Sequence, residues 1–394
     1  MNYKQLSQVA KWRTDRISAE KVNFSNYIST ENMIPNRGGV ENATSLPNAK
    51  TLSKYVTGDI LLSNIRPYFK KIWFADTTGG CSNDVLVVRP NGVDAKFLYY
   101  ILSDNKFFNY STVTSKGTKM PRGSKTAIMK YLVPDVHEST QIRIAEILSA
   151  YDDAIENNNR SIALLEKATR ELYREWFVRM RFPRYESAKF VNGLPVGWEL
   201  DVLGNFVNIT SSKRSYESER VNFGIPLYRS KEIIQIENGE AITESLYVSP
   251  TWFYEIRDKF GAPQENDILI TSRGTIGVPF LVDKREFYFS DGNLSWLQSG
   301  KQPEVALYLY LWLNSPAGQG VVLASTIGTS QKALPIESLK KIKLLKPNNE
   351  VFSDFYNRTM PLVQQKRILQ SQSQNLARQR DLLLPRLMNG KLEV

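Results

Sequence analysis

The sequence holds one cysteine, Cys81, and one histidine, His137, among 394 residues. A single thiol excludes a disulfide framework within the chain and fits a reducing compartment. A single imidazole removes the Cys/His clusters that bind zinc, and no metal site is expected. No apolar run is long enough to span a bilayer, and the opening stretch MNYKQLSQVAKW has no apolar core of the signal-peptide kind, so the expected location is the cytoplasm. Catalytic signatures are missing as well. There is no glycine-rich loop ending in Gly-Lys-Ser/Thr, no Asn-Pro-Pro-Tyr-like sequence of the amino-methylating kind, and no dinucleotide-type glycine fingerprint between a strand and a helix. ATP hydrolysis and a methyl-donor site are therefore not expected in this chain.

Acidic residues are the scarcer charge: 51 Lys and Arg face 40 Asp and Glu, a net charge of +11 with a pI near 9.4. Such an excess suits a polyanion, because Lys and Arg release counterions from phosphates. Hydrophobic residues make up 42% and aromatics 11%, enough for ordinary cores in two domains or more.

The strongest periodic signal lies in residues 139–180. Ile144, Leu148, Tyr151, Ile155, Asn158, Ile162, Leu165, Thr169, Leu172 and Trp176 follow by steps of four and three, the seam of a helix that supercoils against a partner. At about 1.5 Å per residue it would run roughly 60 Å. Shifting the seam by 211 residues gives Phe355, Thr359, Leu362, Lys366, Leu369, Ser373, Leu376, Arg380, Leu383 and Leu387, a weaker copy in the same chain. Pro361 suits a first helical turn, so the copy is expected to begin near it, and Pro385 with Gly390 should loosen or end it. Two unrelated amphipathic helices are the competing reading.

The remainder repeats in outline. Before the first helix, residues 58–62, 71–74 and 85–88 read as short strands, 97–102 as a packing helix, and 116–125 as a glycine-punctuated basic loop. After Arg181-Phe182-Pro183, Gly193 to Trp198 opens a new domain. At a shift of 208, residues 266–270 answer 58–62 and Ser290-Asp291 answer Ser82-Asn83; residues 307–313 match the short helix, and 328–332 stand where 117–119 stood. The fold class is α+β, a tandem duplication of variable domain and long helix. Expected boundaries are 1–138, 139–182, 183–348 and 349–394. Two similar domains held apart by rigid helices would contact two short sites separated by a spacer, and their differing loops imply an asymmetric sequence.

On this frame the segments GDILLSNIRPYFKKIWFA, TSKGTKMPRG, LPVGW and LARQRDLLLPRLMNGKL resemble the DNA-specificity subunit of type I restriction-modification systems, across essentially the whole chain. The resemblance implies two target recognition domains separated by two helices that pair as an antiparallel coiled coil. It implies a subunit that catalyses nothing, on which two methyltransferase subunits and then motor-nuclease subunits assemble on double-stranded DNA. S-adenosylmethionine, ATP and Mg would be held by those partners, with no cofactor in this chain. The alternatives are a coiled-coil protein-binding scaffold without DNA specificity and a stand-alone restriction or methylation enzyme.

The residues expected to contact DNA are Arg66, Lys70, Lys71, Lys116, Lys119, Arg122 and Lys125 in the first domain, and Lys213, Arg214, Arg229, Lys231, Arg273 and Lys332 in the second; each has a solvated surface charge as its other reading. Arg122 and Lys332, in glycine- or proline-bounded loops, are expected to reach base edges. Residues 272–277 read as a hairpin turn rather than a phosphate cradle, and Asp152, Asp153 and Glu156 as a solvated or partner-facing surface rather than a metal site. Tyr173, Trp176, Phe177 and Leu384 exceed what two helices can cover. They are the expected docking surface for methyltransferase subunits.

Overall fold

The structure is a computed structural model that describes residues 2–242, 244–289 and 292–388. The chain divides into two compact units: the described residues of Met1–Ile155 with Asn375–Val394, and Glu156–Gln374.

In the first unit a four-stranded antiparallel sheet runs Ala10–Trp12, Val85–Pro90, Ile60–Ser63, Ile72–Phe74. Ile60 pairs with Val88 and Leu62 with Leu86. Alternate side chains then leave opposite faces: Ile60, Leu62, Leu86 and Val88 pack with the helix Ala95–Ser103, while Leu61, Val85 and Val87 pack with Tyr55 and Cys81. Burial on both faces is why residues 85–88 read as an unbroken apolar run. Asp94 starts the helix by accepting the Phe97 amide at 2.8 Å. A second sheet runs Arg16–Ser18, Thr51–Tyr55, Gly79–Cys81, Tyr27–Ile28.

The second unit is built alike. Its main sheet runs Asn208–Thr210, Leu294–Gln298, Ile268–Thr271, Pro279–Leu281, and it too is buried on both faces, Ile268, Ile270 and Leu297 on one side, Leu269, Leu294 and Trp296 on the other. The covering helix is Pro303–Asn314. The second sheet departs from the repeat. Its order is Arg220–Val221, Leu246–Val248, Ile225–Tyr228, Tyr288–Phe289, so Tyr288–Phe289, at the 208-residue step from Gly80 and Cys81, lies at the edge while Gly79–Cys81 lies inside its sheet. The second unit also carries the helices Ser230–Glu237 and Pro250–Phe260.

Both long helices form. The central one spans Glu138–Tyr173, its last turn widening to a π turn over Arg174–Val178, and the distal one spans Asn349–Met388. A step of 211 carries Glu138 to Asn349. Every one of the twenty seam positions is buried or half-buried. In the first unit Asp152 pairs with Arg380, and in the second Glu166 pairs with Lys366 at 3.0 Å, so numbering rises on one helix as it falls on the other: the helices are antiparallel. These pairs account for the Lys and the Arg on the seam. Burial works against the Lys366 ammonium, but Glu237 at 3.1 Å and Glu166 more than offset it, and its pKa stands above the ordinary lysine value.

Two expectations are corrected. The distal helix starts at Asn349, not near Pro361. Val351, Phe352, Phe355 and Met360 anchor the earlier turns in the core. Pro361 is exposed, and the carbonyl it leaves unpaired, on exposed Asn357, faces water. Pro385 likewise lies inside the helix, while Gly390, Ser290 and Asp291 fall outside the described residues. The second correction concerns docking. Tyr173, Trp176 and Phe177 are about 5% exposed, packed with Tyr308, Phe355 and Trp198, and Leu384 is 3% exposed in the core of the first unit. Tyr173, Phe177 and Leu384, one step off the seam, face a recognition domain of the same chain, and Trp176 lies on the seam itself, so these side chains are interior and present no docking surface. Asp152 takes the partner-facing reading: it accepts the Tyr100 hydroxyl at 2.6 Å as well as the guanidinium of Arg380 on the partner helix.

Candidate nucleic-acid interface

In each domain the chain leaving the central strand is stitched to two other segments by backbone hydrogen bonds. After Ile60–Ser63, the Asn64 amide donates to the Asp84 carbonyl at 2.8 Å, the Gly123 amide donates to the Asn64 carbonyl at 2.9 Å, and the Arg66 amide donates to the Pro121 carbonyl at 2.8 Å. Lys116 and Arg122 exchange both backbone bonds at 2.9 Å, closing a hairpin over residues 116–122. After Ile268–Thr271 the pattern returns. The Ser272 amide donates to the Asn293 carbonyl at 2.8 Å, the Leu334 amide to the Ser272 carbonyl at 2.9 Å, and Ile327 and Ala333 close the second hairpin. Both hairpins need glycine at one place: Gly117 has φ +95° and Gly328 φ +93°, and a Cβ at Gly328 would stand 2.6 Å from the Gln331 carbonyl oxygen.

This platform brings together part of the expected set. Arg66, Lys116, Lys119, Arg122 and Lys125 are exposed on or beside the first hairpin. Arg122 forms an ion pair with Asp84 at 3.1 Å, a partner that the sequence reading missed although it follows the noted Ser82-Asn83. On the second platform Arg273 pairs through its backbone with Ala333, beside exposed Lys332. Residues 272–277 join two antiparallel strands, the hairpin-turn reading.

Other residues are drawn off. Lys71 is half-buried and donates to the Thr30 carbonyl at 2.5 Å; burial lowers its pKa, with Glu31 and Glu41 opposing. Lys70 donates to Asn105 at 2.8 Å. Lys71 is thus turned inward as a brace of the loop, which corrects its placement as an outward contact, while Lys70 makes its bond at the surface. Arg229 grips buried Glu232 at 2.6 and 3.1 Å, and this grip, against the burial that would raise it, holds the Glu232 carboxyl below its usual range. Arg229 stands at the N-cap of the helix Ser230–Glu237, where the Glu232 carboxylate accepts both its backbone amide, at 2.8 Å, and its guanidinium, so part of its charge is spent inside the domain. Lys231 shares Glu244 with it at 3.3 Å. Lys213 and Arg214 take their contacts elsewhere, over the rings of Phe260 and Tyr216 at 5.2 and 5.3 Å. Among the described residues no Cys, His, Asp and Glu cluster suits a metal ion, and no helix is long and apolar enough to cross a membrane.

A model of the type I restriction modification DNA specificity domain matches this chain twice, over residues 1–167 and 195–378. The chain belongs to the type I DNA-specificity family. The type I restriction enzyme MjaIX specificity subunit of Methanocaldococcus jannaschii is 25% identical over 317 residues, covering 78% of this chain and 71% of that one. The HindI specificity subunit of Haemophilus influenzae is 23% identical over 425 residues, covering 90% of each. The crystal structure of a type I restriction-modification S subunit from M. genitalium superposes with a TM-score of 0.61 at 16% identity, over 98% of this chain and 95% of that one. The duplicated fold is thus the family's fold, and each of the two family matches contains one stitched platform.

Proposed function

We propose that this chain is the DNA-reading subunit of a type I restriction-modification complex, with one half-site of a split, asymmetric target read by each domain and the antiparallel helices setting the spacer. The observation that carries this is the platform made twice with one backbone and two sets of side chains: a shared frame with different charges is what two different half-sites require. Arg66, Lys116, Lys119, Arg122 and Lys125 serve the first half-site, Arg273 and Lys332 the second, with Lys213 and Arg214 as flanking contacts. The chain supplies recognition and no chemistry. Methyltransferase subunits bring S-adenosylmethionine, and motor-nuclease subunits bring ATP and Mg. Since Tyr173, Trp176, Phe177 and Leu384 are interior, those partners dock on other surfaces.

The test is single-molecule sequencing of methylated adenines in host DNA with and without the gene for this chain. A split asymmetric motif that vanishes on deletion is the expected result. A motif that persists, together with absence of DNA binding by the complex at low salt, would leave a protein-binding scaffold as the reading.

A further inference from the structure

The first platform carries a feature that its basic residues do not explain. Tyr68 and Phe69 stand at its edge, 46% and 39% exposed, with ring centroids 4.8 Å apart. Two large rings side by side in water are unfavourable unless something covers them. They are held there by a rigid mounting. Pro67 is buried and opens the short turn Pro67–Phe69, which Arg66 and Lys70 flank in the left-handed region at φ 50° and 52°. The Asn36 amide donates to the Phe69 carbonyl at 2.8 Å and the Arg37 amide to the Lys70 carbonyl at 2.9 Å, from residues that are also left-handed, at φ 56° and 65°. Four non-glycine residues in a sparsely populated conformation meet across one pair of loops, a concentration typical of functional sites. Arg37 then ties the mounting to the distal helix through Asp381 at 3.1 Å, and to Asn105 at 3.0 Å, the same side chain that holds Lys70.

The charge around the rings selects the occupant. No acid occurs from Ile60 to Ala75 or from Asn105 to Pro134, the two stretches that the Arg66 amide joins at Pro121. An exposed aromatic pair that follows Arg66, whose backbone is bonded to the hairpin carrying Lys116 and Lys119, suits duplex DNA, where cations meet phosphates and rings meet bases. Among the described residues the second platform has no such pair at the matching place: Gly274 stands where Arg66 stands, at φ +71°, and Ile276 packs partly buried against the core.

We propose that Tyr68 and Phe69 form an aromatic wedge that presses on a base step of the half-site read by the first domain. This rests on the DNA-reading function above and adds to it a stacking contact confined to one half-site.

The test uses the complex assembled with its methyltransferase subunits and a duplex carrying the motif found by methylation sequencing, with the bases of the first half-site other than the methylated adenine, which the methyltransferase itself flips out, replaced one at a time by 2-aminopurine. Wild type should raise fluorescence at one position as the step opens. Tyr68→Ala with Phe69→Ala should abolish that rise and weaken binding on the order of tenfold, as expected for a lost base–aromatic contact. The dependence of affinity on salt should not change, because no charge is removed; Arg66→Ala, by contrast, should reduce its slope by about one phosphate. Tyr68→Phe should keep both signals. The wedge is overturned if the double alanine variant binds and fluoresces like wild type, if wild type binds its target with no rise at any substituted base, or if the variant loses methyltransferase assembly instead, which would assign the rings to a protein interface. A wild-type complex that binds no duplex and leaves no methylated motif overturns the DNA-reading function itself, and the wedge with it.

Discussion

The two recognition platforms share a backbone and differ in almost every side chain that faces out of it. Where the first sets Asp84 against Arg122, the second has Asn293 and Ala333, at the same places in the same ladder of hydrogen bonds. The bonds that build the frame are all main chain, so the frame is indifferent to what the side chains say. Such a division lets loops diverge without unfolding the domain. One layer deeper, a buried carboxylate begins the central strand in both domains, and its partners differ. Asp59 is 1% exposed and held by Arg13 at 2.9 Å and Arg89 at 3.1 Å. Asp267 is 3% exposed and accepts from the Trp296 indole and from the amides of Gln264, Ser299 and Gly300, each at 2.9 Å. The Val56 amide adds a neutral donor to Asp59 at 2.8 Å, so one position is met by two cations and an amide, the other by neutral donors alone.

The largest effect should come from removing these carboxylates. Asp59→Ala takes from Arg13, whose side chain is 6% exposed, one of its two carboxylates and leaves it Asp15 at 2.7 Å, and should destabilise the first unit by about 3 kcal/mol, the low end for a broken buried pair. Asp267→Ala leaves only neutral donors, which water entering the vacated space can meet, and its loss should be smaller, about 1–3 kcal/mol in all. Hydrogen exchange at Ile60–Ser63 and at Ile268–Thr271 would read each unit by itself. Equal losses would show that the difference between charged and neutral partners is only apparent.

A smaller effect separates frame from message. Arg122→Ala should relax discrimination at the first half-site alone, by the roughly 1–3 kcal/mol of a good base contact. The reverse change, Asn293→Asp with Ala333→Arg, places the first domain's ion pair on the second frame. It should redistribute methylation among second half-sites and leave the first half-site as it was. Uniform loss over all sequences would instead make Arg122 a phosphate contact.

Much of this frame was legible because periodicity and spacing survive divergence. The helix seams, the 211-residue step, the doubly buried strands and the basic hairpin all follow from pattern and turn chemistry. Partner choice did not. That Lys71 serves Thr30, that Arg229 serves Glu232, and that Arg122 meets Asp84 depend on contacts between elements whose approach no local pattern encodes. Tyr173 and Leu384 were misread for a related reason. An off-seam apolar residue must be covered, but sequence does not say whether by another subunit or by the chain's own domain, and here the domain covers it. Pro361 misled because helix propensity is a local quantity, and three turns of core packing outweigh one missing amide on an exposed face.

The smallest expected effect returns to the paired carboxylates and is one of pH. Burial raises the pKa of Asp267 above the ordinary 3.8, and the hydrogen bonds from Gln264, Trp296, Gly300 and Ser299 offset only part of that rise. A carboxyl whose pKa is higher folded than unfolded binds its proton more tightly in the folded state. Its contribution to stability is therefore greatest below pH 3.8 and declines as pH rises through the raised folded value, by at most about 1.4 kcal/mol for each unit of displacement. Asp267→Asn removes the titration and should flatten this part of the curve. The difference between wild type and that variant, followed by hydrogen exchange at Ile268–Thr271 as pH is raised from about 4, isolates it from the other carboxylates. A difference that does not vary with pH would mean that the indole and the three amides hold the charge as well as water does, and that neutral donors match the pair of arginines that Asp59 requires.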